Sequence, residues 1–85
     1  MAPAVPNEEY NLARAAFRAA QESDAARFAG PTWIKAEENY RAGQRAYKEG
    51  DYQNAKKLFD AAIAFAEKAE NVTRLKKFQT GEGVP

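Results

Sequence analysis

The chain contains no cysteine and no histidine among its 85 residues. Without these side chains it cannot build the common zinc sites, a thiolate nucleophile or an imidazole acid–base pair. No apolar run approaches the roughly 20 residues of a membrane-spanning helix. A phosphate-binding loop is not indicated, because Gly81 and Gly83 follow no strand and precede no helix. We therefore expect no catalytic residue, no metal site and no cofactor.

A charge excess of one sign is also missing. Lys and Arg number 13 against 12 Asp and Glu, which gives a formal net charge of +1. Nucleic-acid binding draws its affinity from clustered cations that neutralise phosphates, so no nucleic-acid partner is expected. Carboxylates such as Glu37 stand one helical turn from cations such as Arg41, which is typical of a solvated helix face. The sequence therefore predicts a protein that is not an enzyme.

Alanine and aromatic residues are abundant. Nineteen alanines favour helix formation, but each contributes little apolar area to a core. The ten aromatic residues must then supply much of the core. A domain of this length buries only about 60% of its unfolded surface, so we expect modest stability.

Two helical patterns meet at a short turn formed by Gly50 and Asp51. Small and aromatic residues before the turn recur every three or four positions: Trp33, Ala36, Tyr40, Gly43 and Tyr47. The pattern after it consists of Ala55, Leu58, Phe59, Ala62, Ile63, Ala66 and Ala69. Gly50 is expected to adopt the left-handed conformation, and Asp51 is expected to cap the next helix. Such a short turn requires antiparallel neighbours.

Gly43 lies within a predicted helix, where glycine costs about 1 kcal/mol relative to alanine. Its presence indicates the close approach of another backbone or of a large side chain. Phe59 and Tyr52 are the candidates for that neighbour.

We predict an all-α fold, a three-helix up-down-up antiparallel bundle. The helices are expected at about 8–28, 32–49 and 52–78, within one domain over 7–79. Flexible or disordered tails are expected over 1–6 and 80–85. Asn7 is the predicted N-cap of the first helix, and its weakest turn is expected at Ser23 and Asp24. Weak helix propensity at 71–73 favours a break or fraying in the third helix there.

The hairpin resembles a single tetratricopeptide repeat. The residues with matching spacing are Gly43, Gly50, Tyr52, Ala55, Phe59 and Ala62. The chain departs from the repeat pattern at Asn39, Ala46 and Glu67, and it contains no second copy. The resemblance implies a tetratricopeptide-like helical hairpin and, as one alternative function, a peptide-binding adaptor.

A longer stretch, from about Ala13 to Ala69, is similar to DUF4398-type domains. The shared order is an Ala-rich helix, a break at 29–31, a helix with Lys-Ala-Glu-Glu at 35–38, the Gly-Asp-Tyr turn at 50–52 and an Ala-rich third helix. The resemblance implies a Gram-negative envelope protein, often a lipoprotein, without known catalytic residues. The expected location is the periplasm or the outer membrane. Tethering there is expected through a lipidated N-terminus that lies outside this sequence. A cytoplasmic protein is the alternative.

Two sets of residues are candidate partner contacts. The aromatic stripe Trp33, Tyr40 and Tyr47 fits a ligand platform, although core packing explains its spacing better. Trp33 is expected to be half-buried in its first helical turn. The second set, Val72, Leu75 and Phe78, is expected to form a partly exposed apolar end.

The sequence predicts a non-enzymatic interaction or spacer module with a protein or peptide partner. A homodimer through the third helix, at Phe65, Val72 and Leu75, is the alternative. The cations Arg74, Lys76 and Lys77 suit either a helix C-terminus or anionic lipid headgroups, and the first interpretation is the simpler one.

Overall fold

The computed structural model describes residues 4–81, which form four helices and no strand. The helices are α1 (Asn7–Glu22), α2 (Ala25–Phe28), α3 (Gly30–Lys48) and α4 (Tyr52–Thr80). The predicted all-α fold is confirmed. The molecule is a rod with principal extents of 53 × 20 × 14 Å. The predicted tails lie largely outside the described residues.

The first predicted helix, continuous over 8–28, is divided into α1 and α2, so the expected count of three helices is wrong. Asp24 adopts a left-handed conformation with φ of 73°. The hydroxyl group of Ser23 donates to the carbonyl oxygen of Ala20 at 2.8 Å, which helps to satisfy the end of α1. Beyond the bend, Ala25 and Ala29 are buried. The helix is therefore interrupted at its predicted weakest turn, Ser23 and Asp24, and the bend brings α2 into the core.

Replacing Asp24 by glycine is expected to raise the free energy of unfolding by about 0.5 kcal/mol, whereas alanine is expected to lower it by about 1 kcal/mol. Glycine adopts positive φ without a Cβ clash, although its freer unfolded chain offsets part of that gain. Both variants lose the exposed ion pair of Asp24 with Arg27, at 3.9 Å. The difference in stability between the two variants therefore does not include the contribution of that pair. Urea unfolding followed by circular dichroism measures the difference. Equal stabilities would show that the left-handed conformation carries no cost.

The turn between α3 and α4 forms as predicted, with Gly50 in the left-handed region at φ of 79°. The N–H of Asp51 donates to the carbonyl oxygen of Ala46 at 2.9 Å, and that of Gly50 to Tyr47 at 3.1 Å. These two bonds form a Schellman motif, which ends α3. Asp51 occupies the N-cap position of α4, but its side chain makes no capping hydrogen bond.

The predicted N-cap of α1 is wrong by one residue. Pro6 precedes α1, and Asn7 is its first helical residue. The side-chain oxygen of Asn7 instead accepts a hydrogen bond from the hydroxyl group of Tyr47 at 2.7 Å. The start of α1 is thereby attached to the end of α3.

Most buried core residues are alanines, arranged in two clusters along the rod. One cluster contains Ala20, Ala25, Ala29, Trp33, Ala36, Ala66 and Ala69. The other contains Ala13, Ala46, Ala55 and Phe59. Small side chains let the helices approach closely, which explains how so short a chain fills its interior.

Gly43 faces Phe59, one of its two predicted neighbours. A Cβ atom on Gly43 would lie 2.7 Å from both Cδ1 and Cε1 of the Phe59 ring. Phe59 itself is fully buried. The glycine is therefore required by the close packing of α3 on this ring.

Helix α4 continues without the break considered at 71–73. Thr73 is fully buried, and its hydroxyl group donates to the carbonyl oxygen of Ala69 at 2.7 Å. This bond satisfies the only polar atom of the side chain inside the core. The buried stripe therefore ends on Thr73.

Candidate functional site

Aromatic rings from α1, α3 and α4 form a continuous series of contacts. Phe17 stacks on Trp33 with ring centroids 4.6 Å apart, and on Tyr40 at 4.7 Å. Tyr10 stacks on Phe59 at 4.5 Å and meets Tyr47 edge-on at 5.0 Å. We call this set the aromatic seam; its members are Tyr10, Phe17, Trp33, Tyr40, Tyr47 and Phe59. Aromatic pairs at these distances stabilise the contact beyond the area they bury.

The polar edges of the seam are bonded within the molecule. The side-chain amide of Gln44 donates to the hydroxyl group of Tyr10 at 3.2 Å. The guanidinium of Arg14 lies 4.9 Å from the centroid of the Tyr10 ring. The neighbouring hydroxyl groups of Tyr40 and then Tyr10 raise the pKa of Arg14 above its ordinary value. The seam therefore joins α1 to α3 by both its rings and its hydroxyl groups.

Of the predicted aromatic contacts, Trp33 is 8% exposed. The expectation that it is half-buried is wrong, because Phe17 of α1 stacks against its ring. Tyr40 and Tyr47 are half-buried and pack on rings of α1, and Tyr40 also lies 6.2 Å from Phe59 between ring centroids. Their role in binding a partner stays a prediction.

The sequence analysis did not predict that Tyr10 and Phe17 of α1 pair with rings of α3. The signal was their separation of seven residues, which puts both rings on one helix face two turns apart. Tyr40 and Tyr47 have the same separation on α3. Matching intervals on two helices indicate that the rings can meet along a shared interface.

The predicted apolar end on α4 has two exposed members. Leu75 is 58% exposed and Phe78 is 70% exposed, whereas Val72 is half-buried and packs against the core. Sequence reasoning did not single out Leu12 and Ile34, which are 53% and 51% exposed on other helices. Leu75 and Phe78 are three residues apart, so they are neighbours on the helix surface.

Cations surround this apolar end. Lys76 donates from Nζ to the carbonyl oxygen of Phe28 at 2.6 Å, and Lys77 Nζ lies 5.6 Å from the centroid of the Phe28 ring. Arg74 pairs with Glu70 at 2.7 Å. The lysines thus attach the end of α4 to α2.

Carboxylates elsewhere lie in surface ion pairs. Glu37 pairs with Arg41 at 3.6 Å, as the sequence predicts, and Asp60 pairs with Lys56 at 3.1 Å. Exposed pairs of this kind contribute little to stability. Within residues 4–81 no group of three or more Asp or Glu side chains is placed to hold a metal ion, and no pocket is found. None of the helices over that range is long and apolar enough to cross a membrane.

These features define a class: a small, wholly helical rod with an alanine-rich interior and a line of stacked aromatic rings. Residues 8–81 match the family described as Domain of unknown function (DUF4398), and the chain belongs to that family. The match confirms the DUF4398-type resemblance and extends beyond the 13–69 stretch on which it rested. Neither a curated protein nor a solved structure gives a significant match.

Proposed function

We propose that this domain is a non-enzymatic helical interaction or spacer module of the bacterial cell envelope. The observation that supports it best is that α1 begins and α4 ends at opposite ends of the rod. Asn7, where α1 begins, contacts Tyr47 near the turn at one end. Lys76, near the end of α4, contacts Phe28 towards the other end. A segment attached before α1 would therefore be held about 40 Å from one attached after α4.

The proposed architecture is an up-down-up bundle in which α1 and α2 together form one bent first layer. Tyr10 of α1 lies against both Tyr47 of α3 and Phe59 of α4. This contact supports a first helix that runs parallel to α4 and antiparallel to α3. The close packing of Gly43 on Phe59 supports a tetratricopeptide-like hairpin within that bundle.

The envelope location rests on the similarity to DUF4398-type domains of envelope proteins and lipoproteins. In this proposal a lipidated N-terminal cysteine ahead of the domain tethers it in the periplasm. Fractionation of cells that produce the full-length protein tests the location. Recovery in the cytoplasmic fraction would support the cytoplasmic alternative instead.

The spacer role predicts one narrow distance between spin labels at the two ends of the rod. The chain has no native cysteine, so Glu8→Cys with Gln79→Cys introduces only the two labels required. Both positions are exposed. We expect a distance of roughly 35–40 Å, from the rise per residue along α4. Double electron–electron resonance measures it.

A matched control is the pair Asn54→Cys with Gln79→Cys, which lies wholly within α4. Its expected distance is about 38 Å, and it reports that helix alone. A narrow distribution in the control with a broad one between Glu8→Cys and Gln79→Cys would mean that α1 is not fixed to the rod. That result would contradict the spacer role.

A second candidate function is self-association through α4, favoured by the exposure of Leu75. Sedimentation equilibrium of the wild type and a Leu75→Lys variant separates the two candidates. A dimer that Leu75→Lys abolishes would make the scaffold the function. If the protein is monomeric at every concentration, the exposed surface of α4 remains a candidate binding site for a different protein.

A further inference from the structure

The face of α4 that points away from the core carries a regular stripe of side chains. Its members recur at alternating intervals of three and four residues, which places them on one helix face. We call this set the outer stripe; its members are Ala61, Ala64, Lys68, Asn71, Leu75 and Phe78. All of them are exposed except the half-buried Ala61. The buried residues of α4 lie on the opposite face, so no other helix within residues 4–81 covers the outer stripe.

The two ends of the outer stripe differ in side-chain size. Ala61 and Ala64 lie at one end, whereas Leu75 and Phe78, which are 58% and 70% exposed, lie at the other. In an antiparallel pair of α4 helices, Phe78 lies opposite Ala61 of the second copy and Leu75 lies opposite Ala64. Large side chains then meet small ones at both ends of the contact. The outer stripe is therefore complementary in shape to itself.

The polar centre of the outer stripe fits the same arrangement. Lys68 lies opposite Asn71 of the second copy, and two-fold symmetry repeats this pair. The ammonium group of Lys68 can donate to the side-chain oxygen of Asn71. A parallel pair would instead place Lys68 against Lys68 and Phe78 against Phe78. Polar residues inside a helix seam fix register and orientation at a cost in stability.

Charges along one edge of the outer stripe select this register. Glu67 and Arg74 line that edge, because they directly precede Lys68 and Leu75. In the antiparallel pair, Glu67 of each copy lies beside Arg74 of the other. A shift of seven residues in either direction would bring Glu67 against Glu67, or Arg74 against Arg74. Arg74 already bonds Glu70 at 2.7 Å, and its five N–H donors allow a second carboxylate.

We propose that α4 pairs antiparallel with α4 of a second copy in this register, so that two rods lie back to back. The proposal rests on the proposed function, because it specifies the surface and the geometry of the self-association considered there. The contact extends about 26 Å along each helix and buries less than the roughly 800 Å² per partner of a stable interface. We therefore expect a weak dimer, with a Kd on the order of 10–100 µM.

The experiment is sedimentation equilibrium of two charge reversals, Glu67→Arg and Arg74→Glu, separately and mixed. Each reversal alone puts like charges at both edge contacts. An equal mixture restores opposite charges at both contacts between unlike chains. The matched controls are Glu38→Arg and Arg45→Glu on α3, which make the same changes at the same spacing and at exposed positions. Circular dichroism verifies that each variant is folded.

We expect each reversal on α4 to weaken self-association roughly tenfold, because two exposed ion pairs become two repulsive contacts. The mixture should associate within about threefold of the wild type, since its attractive contacts are equal in number. The control variants should each stay within about twofold of the wild type. Phe78→Ala should weaken self-association roughly tenfold, because it removes the apolar contact with Ala61 of the second copy.

Spin labels at a single position per chain measure the orientation of the two copies. The antiparallel register predicts about 47 Å between two Asn54→Cys labels and about 30 Å between two Gln79→Cys labels. A parallel pair would give less than about 20 Å at both positions, because each residue then lies beside its own copy. Double electron–electron resonance distinguishes the two orientations.

Three results would overturn the proposal: a wild type that stays monomeric up to about 1 mM, a mixture no stronger than its components, or short distances at both labelled positions. The distance between Glu8→Cys and Gln79→Cys is measured with the labelled chain diluted in excess wild type, so it reports one chain. A narrow distance there together with a monomeric wild type would remove this proposal and retain the spacer.

Discussion

Replacing Phe59 by alanine is expected to lower the free energy of unfolding by about 3–5 kcal/mol. Phe59 is the largest fully buried side chain, and its ring stacks on Tyr10 at 4.5 Å. A domain of this length has a total stability of about 4–13 kcal/mol, so the substitution removes a large share of it. Denaturant unfolding measures the change.

The control for this prediction is Phe78→Ala on the same helix. Phe78 is 70% exposed, so the same chemical change there should alter stability by less than about 0.5 kcal/mol. A similar loss at both positions would indicate an effect of phenylalanine on helix α4 rather than on the core. It would contradict the packing described for Phe59.

Replacing Gly43 by alanine is expected to lower stability by up to about 2 kcal/mol, although alanine is the better helix former. The added Cβ would lie 2.7 Å from two atoms of the Phe59 ring. Overpacking costs about 1–3 kcal/mol, which exceeds the gain of about 1 kcal/mol in helix propensity. The ring has little room to move, because it stacks on Tyr10 and is fully buried.

A double-mutant cycle assigns that loss to the contact between Gly43 and Phe59. In a Phe59→Leu background the ring is gone, so Gly43→Ala should become stabilising by up to about 1 kcal/mol. Gly30→Ala is the control, since a Cβ there meets nothing within 4 Å. If Gly43→Ala destabilises both backgrounds equally, the ring is not what requires the glycine.

The hairpin of α3 and α4 was predictable because its signals are local. Periodicity of three and four residues places Ala55, Phe59 and Ala62 on one face, and Gly50 supplies the left-handed turn. Gly43 also pointed to its neighbour Phe59, because a glycine that lowers helix stability is expected where a large side chain packs closely. These features depend on a few residues that are adjacent in sequence.

Features set by tertiary packing were less predictable. Trp33 is buried because Phe17 of another helix covers it, which its place in a first turn does not reveal. The division of α1 from α2 requires Asp24 to adopt positive φ, which becomes favourable only because Ala25 and Ala29 are then buried. Thr73 is fully buried because it lies four residues after Ala69 on the inward face of α4, despite its hydroxyl group.

The opposite positions of the first and last helical residues also decide how the domain responds to force. Tension applied between Pro6 and Gly81 would act along the long axis of the rod. Ala13 and Ala20 of α1 pack in the same two clusters as Phe59 and Ala66 of α4. Such a pull slides the two helices past one another, so the contacts of both clusters resist it together instead of separating one by one. We therefore expect the two clusters together to resist tension along the length of the rod.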